Sequence, residues 1–340
     1  MQEYIREVGR GKKGAKDLTF EQAKDAAARI LDGQATDAQI GAFLLSERIK
    51  MESIDELQAF IEECRKRSTV VRHGRIGVLD CSGPYDGRAK SFAATIPVSL
   101  ILAAREVPVV LHASATLPPK NGVSLLEILR ELKVETEADE GSVRNQLEKV
   151  GIAFLHTETF CPPLRKLRSI REELGVRTLF NTVEKSLNLT DAAFAITGVF
   201  HTPALNKTAQ LLQRAGIRKG MVVQGIDGSE DLPVNRASTI CIFEGDSVEK
   251  QIINPKDYDL FYAHEPVRFT CQEQASLTLE ILSGAQHPFR NMVLLNSGLR
   301  LWFVGKAKTI EEGIELAKTT LDSGEAMHKL EDWKQISSVS

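Results

Sequence analysis

Apolar positions along the chain fall in two different rhythms. Before residue 72 they recur three and four apart, as Ile40, Phe43 and Leu44 do in one stretch and Leu57, Phe60 and Ile61 do in the next. That spacing marks one buried face of a helix. The stretches open on Ser or Thr with Gln or Glu three residues later: Thr19 with Gln22, Thr36 with Gln39, Ser53 with Glu56. Such a pair lets two side chains satisfy orphan amides of a first helical turn. The pattern predicts a small all-helical unit over 1–72, whose first 16 residues form a polar, glycine-punctuated arm.

From about residue 76 short apolar runs alternate with helical patterns, which points to a parallel sheet covered by helices. Strands are expected at 76–79, 108–112, 152–156, 193–200 and 221–226. Helices are expected near 91–104, 124–132, 162–174 and 205–215, the last closed by Gly216. Runs at 238–243 and 247–253, joined through Glu244-Gly245-Asp246, read as a hairpin added to the sheet. A further helix opens at Thr309 with Glu312. The fold class is therefore α/β: the helical unit, then residues 73–340 as a large domain with a mainly parallel central sheet. A helix from the middle of the chain has room to rejoin the first unit.

Charge narrows the partners. With 43 Lys and Arg against 46 Asp and Glu, the formal net charge is −3, so no global basic field draws the chain onto nucleic acid. Any such binding must be local, and two segments qualify. The arm carries Arg6, Arg10, Lys12, Lys13 and Lys16 against Glu3 and Glu7. In the expected helix 162–174, Leu164, Leu167, Ile170 and Leu174 share one face, leaving Arg165, Lys166 and Arg168 on or near the other. The longest apolar stretch, 92–104, is followed by Arg105-Glu106 and falls short of the ~20 residues of a membrane span. No membrane partner is expected. A charged start and five scattered cysteines without a C-x-x-C pair favour a soluble protein of the reducing cytoplasm.

Several stretches resemble a known family. Leu18-Thr19-Phe20-Glu21-Gln22-Ala23, Thr36-Asp37-Ala38-Gln39-Ile40-Gly41, Gly175-Val176-Arg177-Thr178-Leu179-Phe180-Asn181 and Ser323-Gly324-Glu325-Ala326 are similar to segments of anthranilate phosphoribosyltransferases. That family also includes class II nucleoside phosphorylases. The resemblance implies a helical domain that makes a homodimer, a large α/β domain, and pentosyl transfer from 5-phosphoribosyl 1-diphosphate (PRPP). The arm Arg6-Glu7-Val8-Gly9-Arg10-Gly11-Lys12, Tyr85-Asp86-Gly87-Arg88 and Gly198-Val199-Phe200-His201 look like a bacterial paralogue branch linked to nucleic-acid binding.

Site residues follow from that resemblance. The family's glycine-rich PRPP loop corresponds to Cys81-Ser82-Gly83-Pro84-Tyr85-Asp86-Gly87, where Pro84 removes an amide donor and Tyr85 adds bulk. Its Asn-x-Ser-Thr corresponds to Ala93-Ala94-Thr95-Ile96, and its Lys-His-Gly-Asn-Arg to Leu111-His112-Ala113-Ser114-Ala115, which lacks both cations. The implied phosphate or donor residues are Ser82, Gly83, Asp86, Gly87, Lys90, Ser91, Thr95 and His112. Arg171 matches the arginine that contacts the anthranilate carboxylate. Glu230 and Asp231 approximate the family's acidic pair, with Mg2+ as the implied cofactor. The expected function is a divergent anthranilate phosphoribosyltransferase-like protein with eroded PRPP motifs, an anionic-ligand cleft and nucleic-acid binding; the alternative is an active pentosyl transferase. Expected partners are a second copy of the chain and either a phosphorylated small molecule or a nucleic-acid backbone.

Overall fold

The computed structural model describes residues 1–11 and 13–337; Lys12 lies outside the described residues. The helical unit comprises α1 (Gln2–Val8), α2 (Phe20–Leu31), α3 (Asp37–Lys50) and α4 (Ile54–Lys66). Thr19, Thr36 and Ser53 each close a reciprocal capping box. The arm is more ordered than its polarity suggests, because Tyr4 and Val8 are buried as α1 packs on α3. Phe43 stacks on Phe60, which meets Phe180 edge to face, with ring centroids 5.9 and 5.6 Å apart.

The sheet begins at β1 (Leu79–Ser82), followed by α5 (Thr95–Ala104), β2 (Val109–Ala113), α6 (Leu125–Glu131), α7 (Glu140–Lys149) and β3 (Ile152–His156). Four short helices come next: α8 (Thr157–Phe160), α9 (Pro162–Lys166), α10 (Arg168–Leu174) and α11 (Phe180–Val183). The chain then adds β4 (Phe194–Val199), α12 (Ala204–Arg214), β5 (Lys219–Gln224), β6 (Ser238–Glu244) and β7 (Ser247–Ile253). It ends in α13 (Cys271–Leu282), α14 (Arg290–Phe303), α15 (Ile310–Asp322) and α16 (Glu325–Ser337). The strand order is β3-β2-β1-β4-β5-β6-β7; the first five pair in parallel and β6 and β7 form the antiparallel hairpin.

Alternation along β2 and β3 feeds two cores, as expected when both faces are covered. Val109, Leu111, Ile152 and Phe154 join the core beneath α5 and α14. Val110, Ala153 and Leu155 face the other way, into a core shared with α2–α4 and the segment 160–189. The helical unit is thus packed onto the middle of the chain. Helix α5 is apolar all round because it is enclosed by α14, α15 and α16.

Three boundaries differ from the sequence pattern. The first strand lies at 79–82 rather than 76–79, because Ile76 is exposed and Gly77 turns the chain at φ +72°. The helix expected from residue 91 starts at Thr95, and the one expected over 162–174 divides at Leu167. The first shift puts Ser82 inside the sheet.

Candidate functional site

After β1 the chain builds outward to β2 and β3; after β4 it builds the opposite way to β5. This switch point leaves a crevice beyond the carboxyl ends of β1 and β4, where open α/β sheets take their ligands. The loop that leaves β1 is drawn into the crevice. Arg88 and Val123 exchange backbone hydrogen bonds of 2.8 and 2.9 Å, and the Asp86 carbonyl accepts from the Gly122 amide at 3.0 Å. Gly87 is required here: its φ is +75°, and a Cβ would collide with the Gly122 carbonyl. Tyr85 points inward, 2 % exposed. Its hydroxyl lies 2.6 Å from His112 Nδ1 and also meets the Thr157 hydroxyl, while His112 Nε2 is 2.9 Å from Asp80. A proton on Nε2 satisfies the chain: Nε2 donates to Asp80, Nδ1 accepts from Tyr85, and Thr157 donates to the phenol oxygen. Burial, then the Glu184 charge, holds the Tyr85 phenol well above its ordinary pKa.

Four charged side chains meet at the crevice floor. Arg88 Nη2 donates to Glu230 Oε1 at 2.7 Å and lies 3.4 Å from Asp231 Oδ2. Arg300 donates to Asp231 Oδ1 at 2.8 Å, to Thr95 Oγ1 at 2.9 Å and to the Glu230 carbonyl at 3.2 Å. The Thr95 amide donates to Asp231 Oδ2 at 3.1 Å. All four side chains are at most 1 % exposed. Burial, reinforced by Glu230, raises the Asp231 carboxyl to about 6. For Glu230 burial also works upward, but Arg88 and Arg300 outweigh it and hold the carboxyl below its ordinary value.

The amides after the loop hold an internal anion. Asp227 Oδ2 accepts from the amides of Ala89 and Lys90 at 3.0 and 2.7 Å, and from Ser91 Oγ at 3.2 Å. Lys120 donates to the Asp227 carbonyl at 2.6 Å and pairs with Asp86 at 2.9 Å. Ser82 donates to Thr197 at 2.8 Å. Nearby, Arg171 makes a two-pronged pair with Glu184 at 2.7 and 2.9 Å, both buried. Lys185 donates to the carbonyls of Gly198 and Gly228 at 2.8 and 3.2 Å, and burial, aided by Arg177, pulls it down to about 7. Two cavities border these groups, one against Asp80, His112 and Glu184, the other against Tyr85, Arg177 and Lys185. Each has about 10 Å³ of room. That suits one water, whereas an ordinary small-molecule pocket has ~300 Å³ or more.

Known proteins match this fold along almost its whole length. Residues 2–68 match the helical bundle domain, and residues 79–327 the α/β domain, of the glycosyl transferase family. The chain is 32% identical over 320 residues to the anthranilate phosphoribosyltransferase of Desulfitobacterium hafniense, covering 94% of this chain and 93% of the relative. It is 30% identical over 332 residues to the Bacillus mycoides enzyme of that name, with 97% and 96% covered. The chain belongs to the anthranilate phosphoribosyltransferase family. The solved anthranilate phosphoribosyltransferase of Thermus thermophilus superposes with a TM-score of 0.85 at 26% identity, covering 98% of this chain and 99% of the other. The Saccharomyces cerevisiae enzyme in complex with PRPP and Mg has the same fold, with a TM-score of 0.86 at 18% identity and 100% and 98% covered.

Against that family, the expected site residues divide. Ser82, Gly83, Asp86, Gly87, Thr95 and His112 do gather at the crevice, but all are buried, and Ser82, Asp86, Gly87, Thr95 and His112 are bonded within the chain. Ser91 joins them through Asp227, while the Lys90 side chain is exposed. Arg171 faces Glu184. The fit of Glu230 and Asp231 to Mg2+ is poor. Three of their four carboxylate oxygens accept from arginines or an amide, leaving Glu230 Oε2 without a partner, and the described residues contain no group of three or more His, Cys, Asp or Glu able to hold a metal. Mg2+ asks for an octahedron of oxygens. Sequence reasoning missed Arg88, Arg300, Asp227, Glu184 and Lys185. For the last two the sequence gives no signal, because Glu184 and Lys185 stand among other polar residues, Asn181, Thr182, Ser186 and Asn188.

The two basic segments lie in the arm and in α9 and α10. Helices α1 and α10 both pack against α3. Arg6, Arg10, Lys13, Arg165 and Lys166 are exposed, with Arg10 paired to Glu7. Arg168 departs from the exposed position expected of it: it is partly buried, its fork on Glu158 at 2.6 and 3.0 Å and on the carbonyls of Ala115 and Thr116. No helix among the described residues is long and apolar enough to cross a membrane.

Proposed function

We propose that this protein keeps the family scaffold but has lost or greatly weakened anthranilate phosphoribosyl transfer, and that it binds nucleic acid through the exposed basic residues of the arm and α9. The observation that carries the first half is that the crevice is filled by the chain itself. Tyr85 stands in the loop, Asp227 occupies the amides of 89–90, and Glu184 faces Arg171, the residue the resemblance assigns to the anthranilate carboxylate. A substrate would have to displace buried, paired charges before binding, which offsets the transition-state stabilisation a transferase needs. The second half rests on Arg6, Lys13, Arg165 and Lys166, whose positive charge is solvent-exposed.

Incubation with anthranilate, PRPP and Mg2+, followed by chromatographic detection of phosphoribosyl anthranilate, tests the first half. The expected result is no turnover approaching the ordinary enzyme range of about 1–1000 per second. Product at such a rate favours the second reading, an active pentosyl transferase whose support is the identity of about a third to named transferases over most of the chain. Homodimerisation belongs to the same proposal. Leu45 and Ile49, 42% and 54% exposed, lie one turn apart on α3 and form an apolar strip suited to a second copy. Light scattering is expected to give a dimer, and Leu45→Glu with Ile49→Glu a monomer.

A further inference from the structure

We propose that Arg88 is the resident cation of the Glu230–Asp231 pair, so that this carboxylate pair holds no divalent metal. A guanidinium is a fixed, planar positive charge that neither leaves nor titrates under ordinary conditions. Here it arrives from the loop after β1 and reaches both carboxylates, at 2.7 and 3.4 Å, while Arg300 reaches Asp231 from α14. Two positive and two negative side chains form a neutral quartet with almost no exposure to solvent. The cluster therefore ties the loop 83–91 to the segment 225–231 and neutralises two adjacent buried acids with side chains alone.

Geometry leaves no room for both cations. An ion bonded to Glu230 and Asp231 would sit within a few ångströms of Arg88 Nη2, and like charges so close in a dry interior repel strongly. Only Glu230 Oε2 lacks a partner among the four carboxylate oxygens, and it lies beside Gly83, where a Cβ would come within 3.2 Å of it and 3.1 Å of Arg88 Nη1. One free oxygen is far short of six, and Mg2+ gives up its waters reluctantly. The proposal stands apart from the functional reading above, because it concerns the metal and neither anthranilate nor nucleic acid.

Titration of the full chain with Mn2+ alone, following the free ion by electron paramagnetic resonance, tests it directly. The wild type is expected to show no stoichiometric site tighter than about 1 mM, and the same result is expected for Asp231→Asn. A stoichiometric wild-type site that Asp231→Asn abolishes overturns the proposal. Arg88→Gln, confirmed as folded by circular dichroism, is expected to gain a Mn2+ site at least tenfold tighter than any in the wild type, with Mn2+ raising its Tm. Folded Arg88→Gln that gains no site also overturns the role given to Arg88. Should that variant not fold, the wild type and Asp231→Asn still decide whether the pair holds metal.

Discussion

In the crevice, Arg88, Arg171 and Arg300 are each at most 2 % exposed and each meets a carboxylate within 3 Å. On the outer side of the helical unit and α9, Arg6, Lys13 and Lys166 are exposed and form no ion pair among the described residues. Both regions carry the cations that an anionic ligand would need. They differ in what the cations already hold. A desolvated arginine is tolerated only with a partner, so the crevice locks its charge into the fold, whereas an exposed lysine stays hydrated and remains available to a phosphate. The two regions thus differ in where their charge goes, locked into the fold in one and left open to solvent in the other.

The largest expected effect comes from opening that lock. Arg171→Ala strands the Glu184 carboxylate, whose environment is already hostile to charge: burial raises its pKa even with Arg171 pulling the other way. Removing one member of such a pair should destabilise the protein by roughly 3–5 kcal/mol, read by urea denaturation. Arg171→Met combined with Glu184→Leu should recover most of the loss. A single substitution costing less than about 1 kcal/mol would mean that the pair behaves like a surface bridge, and the contrast between the regions would collapse.

Lys185 gives the contrast a pH signature. Its folded pKa is about 7, against an ordinary 10.5, so between those values the unfolded chain binds a proton that the folded chain has released. Stability should therefore rise with pH through this window. Relative to Lys185→Met, which has no such proton, the wild type should gain roughly 1.4 kcal/mol per pH unit from just above pH 7. Asp231 and Glu47, whose carboxyls are raised to about 6 and 8, pull the other way below and around neutrality, but both act in either protein and cancel in the comparison. Parallel stability curves for the two proteins would remove Lys185 from the buried set. A smaller effect is expected of Tyr85→Phe, which deprives His112 Nδ1 and Thr157 of their partner and should cost about 1–3 kcal/mol.

How much of this was legible in the sequence follows the same division. Helix starts were readable because a capping box is a local code: Thr19, Thr36 and Ser53 all cap as their spacing requires. The parallel strands were readable from their apolar runs, although β1 slid by three residues, since Gly77 and the exposed Ile76 are indistinguishable by hydropathy from strand. The crevice was only half readable. The resemblance led to Ser82, Gly83, Thr95, His112, Glu230 and Asp231, and these do converge. What could not be read was who neutralises whom: Arg88 meets Glu230 across 142 residues, and Arg300 meets Asp231 across 69. Arg168 shows the limit of helical periodicity, because a kink at Leu167 turns its side chain toward Glu158.

The smallest effect per residue is expected at the exposed cations, and it is the one that tests whether they form a contact surface at all. Fluorescence anisotropy with labelled single-stranded and duplex DNA should detect binding at low salt that weakens steeply as salt rises, because released counterions drive it. Arg6→Ala, Lys13→Ala, Arg165→Ala and Lys166→Ala should each lower the slope of log affinity against log salt by about one or less, and should weaken unrelated sequences alike. Arg168→Ala should behave differently. Its guanidinium is engaged with Glu158 and two carbonyls, so its removal should lower stability and leave the salt slope unchanged. Equal slopes for all five variants and the wild type would take the exposed cations out of any phosphate contact, and an effect of Arg168→Ala equal to that of Arg165→Ala would mean that the buried pair opens on binding.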